Sequence, residues 1–152
     1  MSLEFEAGKF IGGAFLCIFT AIISIDIFDR LTPAINEVDE LKKGNKAVAV
    51  FLGAVVLGIC LMVVPSLYKF AKISEGPLLG ADLLGWALVY IMSLLGAIFV
   101  MYASFAAIDA YTQKINEIEE LKNGNMAVAI MLAAVLVSIS LLATVAIWET
   151  VI

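Results

Sequence analysis

The chain has 152 residues, 63% of them hydrophobic, a net charge of −5 and a mean hydropathy of +1.07. Soluble domains are about 45–50% apolar, and a globule this small cannot hide the excess, so composition excludes a water-soluble fold and points to a lipid-facing one. The negative charge argues against nucleic acid, and the lack of histidine removes the commonest metal ligand and general base.

The first charge-free run, Phe10–Ile25, is short for a crossing and extends to a span from Gly8 to Phe28, with Lys9 snorkelling at one end and Asp26 near the other. Glu4 and Glu6 precede it and no small-x-small cleavage site follows, so it reads as a retained span and not a signal peptide. The next segment is charged, yet Leu31, Ile35, Val38 and Leu41 recur at helical spacing. That predicts an amphipathic linker helix, begun or kinked by Pro33. Gly44-Asn45 then predicts a corner, with glycine ending one helix at positive φ and asparagine capping the next. The charge-free run Ala47–Tyr68 follows. At about 1.5 Å per residue it covers about 33 Å, enough for a hydrocarbon core. Gly76-Pro77 and Gly80 mark a turn. Leu83–Ile108 supplies a third run, the longest of the four. A second linker carries the stripe Tyr111, Ile115, Ile118 and Leu121 and ends in Gly124-Asn125. It leads into Met126–Trp148, which is also long enough to cross. Continuous apolar runs lack the alternation of barrel strands, so the spans are helices. The tyrosines and tryptophans, Tyr68, Trp86, Tyr90, Tyr102, Tyr111 and Trp148, fall at or within about two turns of span ends, where amphipathic rings collect.

The second half repeats the first at a constant offset and without a gap. INEVDELKKGNKAVAV (Ile35–Val50) returns as INEIEELKNGNMAVAI (Ile115–Ile130), and more than half of the positions match between 31–61 and 111–141. The offset contains two crossings, so both copies enter the bilayer in the same direction. The expected fold is an all-α integral membrane protein. It has four transmembrane helices as two parallel tandem repeats, residues 1–75 and 76–152, with both amphipathic linkers on one face. Six of nine basic residues fall in the linkers, which places residues 29–46 and 109–125 on the cytoplasmic side of the cell membrane.

Small residues four apart offer packing faces: Ala49 and Gly53, Ala54 and Gly58 in the second span, Ala129 and Ala133, Ala134 and Ser138 in the fourth. The second and fourth spans are expected to use corresponding faces at tight contacts. Cys17 and Cys60 lie within spans and read as packing residues. Chemistry is sparse. Repeated acids at the span edges, Asp29 with Asp109, Glu37 with Glu117 and Glu40 with Glu120, are candidates for the mouth of an ion path, or for a solvated face braced by Asp26–Arg30 and Asp39–Lys43 pairs. No ionisable group sits mid-span in the last three runs, and no catalytic, cofactor or metal motif is present.

The doubled E-L-K-x-G-N-x-A-V-A, carried by Glu40–Ala49 and Glu120–Ala129, resembles the YjfL-like family of small bacterial and archaeal membrane proteins, a domain of unknown function. The resemblance implies a two-span unit occurring twice, and a link with envelope-stress genes; it implies no reaction. Together these readings give a structural or accessory membrane protein, not an enzyme, that self-associates or joins a larger membrane complex. The alternative is a small channel or transporter formed between repeats or protomers.

Overall fold

A computed structural model describes residues 2–73, 79–112 and 116–151. All regular structure among them is helical: α1 (Leu3–Leu31), α2 (Glu37–Lys42), α3 (Lys46–Ala71), α4 (Leu79–Tyr111), α5 (Glu117–Lys122) and α6 (Met126–Val151). The helices α1, α3, α4 and α6 are each long and apolar enough to cross a membrane. The chain is therefore a multi-pass membrane protein in a lipid bilayer. The Gly76-Pro77 turn, the 75/76 boundary, and Gln113, Lys114 and Ile115 of the second linker lie outside the described residues.

The helix α1 begins two turns before its charge-free run. Ser2 caps it by accepting from the Phe5 amide, and Glu4 and Glu6 sit favourably in the first turn. Lys9 does more than snorkel. Its ammonium pairs with Glu6 at 3.0 Å and donates to the Ala71 and Ile73 carbonyls at 3.2 Å each. It thereby ties the start of α1 to the end of α3 and satisfies carbonyls that a helix C-terminus leaves open.

The linkers are less helical than their periodicity predicts. The helix α1 stops at Leu31, just before Thr32-Pro33, and the Thr32 hydroxyl and amide both turn back to the Phe28 carbonyl; Pro33 neither begins nor kinks α2, which starts at Glu37. Copy two has no proline there, yet α4 stops at Tyr111 and Thr112 turns back to Ile108 in the same way. Among the described residues, the helices within the linkers, α2 and α5, are only six residues each. The two stripes also differ. Leu31 and Ile35 are buried while Val38 and Leu41 are exposed; in copy two Leu121 is buried, Ile118 half-buried and Tyr111 exposed.

The helix α3 occupies the centre. Its most extensive contact is with α6, and α1 and α4 pack on it too. Phe51 joins Phe28 of α1 and Phe105 of α4, with centroids 5.5 and 5.9 Å apart. The helices α3 and α6 run side by side in the same direction. Asn45 at the start of α3 bonds to Leu121, and Tyr68 near its end stacks with Trp148 at 5.1 Å. Pro65 lies within α3 and is buried. Tyr90 is buried and turns inward. Its hydroxyl shares a 2.8 Å hydrogen bond with Thr20 inside the bundle, which gives its polar end a partner.

Candidate functional site

The most elaborated polar region is the pair of Gly-Asn corners. Gly44 and Gly124 take φ of +78° and +77°, a region that side chains with a Cβ rarely enter. At the first corner the Gly44 amide donates to Leu41 O and the Asn45 amide to Glu40 O, both at 2.9 Å; at the second, Gly124 and Asn125 donate to Leu121 O and Glu120 O at 3.0 and 2.9 Å. This is the paired bonding of a Schellman ending. Asn45 Oδ1 then accepts from the Ala47 and Val48 amides, and Asn125 Oδ1 from Ala127 and Val128. Each asparagine closes one helix through its backbone and opens the next through its side chain.

The same asparagines hold the repeated acids. Asn45 Nδ2 donates to Glu40 Oε2 at 2.8 Å, and Asn125 Nδ2 to Glu120 Oε2 at 2.6 Å. The positive ends of α3 and α6 lie together here, and each carboxylate supplies the charge that a helix N-terminus favours. Repetition alone suggests an ion mouth for these acids. The structure gives them a bracing role, legible only as a Glu and an Asn five residues apart with a glycine just before the Asn.

The first corner carries three further features. Lys43 pairs with Glu40 at 2.7 Å, not with Asp39 as the spacing predicts. The hydrogen bonds from Lys43 and Asn45 hold the Glu40 carboxyl below the usual carboxylate range, and the Glu40 bond pushes the Lys43 ammonium above its usual range. Asn45 Nδ2 also reaches across the copies to Leu121 O at 2.9 Å and Lys122 O at 3.2 Å. A polar cleft of about 380 Å³ lies between the corners, bordered by Glu40, Lys43, Asn45, Lys122 and Gly124. Asp29 and Asp109 are not part of that cleft. Both are exposed at the ends of α1 and α4, and Asp29 lies beside Glu37. Glu117 is buried and its Oε1 has no hydrogen-bond partner, whereas its counterpart Glu37 is half-buried.

The small-residue positions separate into two groups. Ala54, Gly58 and Ala129 are buried and Ala133 is half-buried, whereas Ala49, Gly53, Ala134 and Ser138 are exposed. Corresponding faces are therefore not used alike in the two spans. The central α3 buries its Ala54–Gly58 face, and the peripheral α6 buries its Ala129–Ala133 face. A Cβ on Gly58 would collide with Met101 Cε and Ser140 Oγ, so a side chain here would force Met101 of α4 and Ser140 of α6 to move aside.

No curated protein and no solved structure matched the chain. A family profile described as "Domain of Unknown Function (DUF350)" matches residues 3–147, nearly the whole four-helix bundle and both Gly-Asn corners, and the chain belongs to that family.

Proposed function

We propose that this protein is a structural or accessory component of the cell membrane. It associates with itself, or sits beside a larger membrane complex, and its linkers face the cytoplasm. One observation carries the reading. Ala49 and Gly53 of α3 and Ala134 and Ser138 of α6 turn small residues outward, where helices in lipid associate by close approach of their backbones. The interior gives further support. The hydroxyls of Thr20, Ser24, Ser104, Ser140 and Thr144 each donate to a carbonyl of their own helix, which is the arrangement of a dry bundle.

The test is purification from native membranes in mild detergent, with the mass of the protein in the particle measured by light scattering. A multimer, or a stable complex with another membrane protein, supports the proposal. A lone monomer in both detergent and native-membrane nanodiscs rejects it.

The channel alternative draws on the unpartnered Glu117 oxygen and the exposed Asp29 and Asp109. Cation flux through reconstituted liposomes that disappears in the Asp29→Asn/Asp109→Asn variant would replace the accessory reading with that one.

A further inference from the structure

Equivalent residues of the two copies are exposed in complementary patterns. On α3, Val48, Phe51, Val55 and Met62 are fully buried; their counterparts on α6, Val128, Met131, Val135 and Leu142, are half-buried or exposed, with Leu142 at 73%. The opposite holds one quarter-turn away. Ala129, Leu132, Leu136 and Ser140 of α6 are buried, and their counterparts Ala49, Leu52, Val56 and Cys60 are exposed or half-buried. The linkers follow suit, with Leu121 at 0% exposure and Leu41 at 42%. Each copy leaves open the surface that the other has covered.

The cause is visible in the contact between copies. One face of α3 seats against the hairpin formed by α4 and α6, where Gly58 meets Met101 and Ser140. Near the far end of the bundle, Trp86 donates to Ser66 O at 2.9 Å and stacks on Phe70. The equivalent face on α6 runs through Met131, Ala134, Ser138, Leu142 and Val145, all exposed. The equivalent receiving surface is the outer side of the α1–α3 hairpin. A crevice of about 440 Å³ lies there, lined by Phe10, Gly13, Cys17 and Phe70 among others. The counterparts of the first three, Tyr90, Ser93 and Ala97, are buried.

We infer that copies of this chain join head to tail, the outward face of α6 around Ala134 and Ser138 of one protomer seating against the outer side of the α1–α3 hairpin of the next, as α3 seats against α4 and α6 within each chain. This deepens the proposed self-association by naming its two surfaces. The contact is heterologous, so it propagates into a closed ring or an open row and does not stop at a dimer.

Three details fit the pairing. Gly58 becomes Ser138 on the outer face, and the Met101 it would meet becomes Ala21, so the larger residue faces a smaller partner. Phe51 against Phe105 becomes Met131 against Ile25, both exposed apolar side chains. Asn45, which donates across the copies to Leu121 O and Lys122 O, becomes Asn125, with Leu41 O and Lys42 O of the next protomer as acceptors.

The test is disulfide trapping in native membranes. Two differently tagged variants are co-expressed: Cys17→Ala, which keeps Cys60, and Cys17→Ala/Cys60→Ala/Ser138→Cys. The internal contact of Gly58 with Ser140 predicts that Ser138 of one protomer approaches Cys60 of the next. Mild oxidation should yield a band carrying both tags and little of either homodimer. A dominant 138–138 homodimer, or no mixed band from protein that is multimeric by mass, overturns the head-to-tail arrangement and leaves self-association standing. A lone monomer overturns both. As a second variant, Ser138→Trp places bulk on an exposed face. It should dissociate the multimer to monomers with unchanged helical content, and a multimer that survives it rejects the surface.

Discussion

The two membrane hairpins share a sequence pattern and not a situation. In the first, α3 has neighbours on three sides, α1, α4 and α6. In the second, α6 has neighbours on two, α3 and α4, and leaves exposed the side that α3 keeps inside. Equal residues thus carry unequal burdens. Gly58 sits where a Cβ would displace Met101 and Ser140, whereas Ser138 lies on an exposed face and bonds its hydroxyl back to Ala134 O. What a repeat fixes is the shape of its unit. Which face of that unit is buried depends on what lies beside it.

The sharpest way to break the comparison is Gly58→Leu against Ser138→Leu, unfolded thermally in a detergent that holds the protein monomeric. Overpacking at Gly58 should cost about 1–3 kcal/mol, and the exposed Ser138 site should stay within about 0.5 kcal/mol. Equal losses at both positions would mean that α3 and α6 are similarly enclosed.

The corners differ by less. Asn45→Ala and Asn125→Ala each remove a helix cap, at about 1 kcal/mol. Asn45 also bonds to Leu121 and Lys122, so its loss should exceed that of Asn125 by about 1 kcal/mol in the same melting experiment. At the glycines the comparison should vanish. Gly44→Ala and Gly124→Ala force the same left-handed backbone, and each should lose about 1 kcal/mol. A twofold difference between them would show that one corner relaxes its geometry and the other cannot.

The smallest effect is electrostatic. Glu40 titrates below its unfolded value, so its contribution is present above the ordinary carboxylate range and is lost as pH falls through the lowered folded value. Lys43 titrates above its unfolded value, so its contribution holds below the ordinary lysine range and fades as pH rises through the raised one. The pair is partly exposed and the stabilisation small. Melting temperature measured from pH 7 down to 3 should fall more for the wild type than for Glu40→Gln; parallel curves would remove the pair from the account.

Much of this was legible because lipid constrains sequence strongly. Charge-free runs located four long helices, and the doubled Gly-Asn step located both corners, since few other residues supply left-handed backbone followed by a cap. The packing was not legible. Spans apolar all round carry little periodic contrast between a face toward protein and a face toward lipid. Ala49 and Ala129 are the same residue in the same motif, yet one is exposed and the other buried. The linker stripes misled for a related reason. Leu41 and Leu121 have equal hydrophobicity, but only Leu121 has a neighbouring copy to cover it. Glu37 and Glu117 correspond as repeated acids, but nothing in their residue type separates the buried Glu117 from the half-buried Glu37.

Pro65 gives the two rods different stiffness. Its ring carries no amide hydrogen, so the Leu61 carbonyl of α3 loses the rung that Val145 supplies to Leu141 at the same place in α6. A ladder missing one rung flexes there before it flexes elsewhere. A push on the Lys9 end of the molecule would be taken up at that joint, while α6 carries the same push straight through to its asparagine.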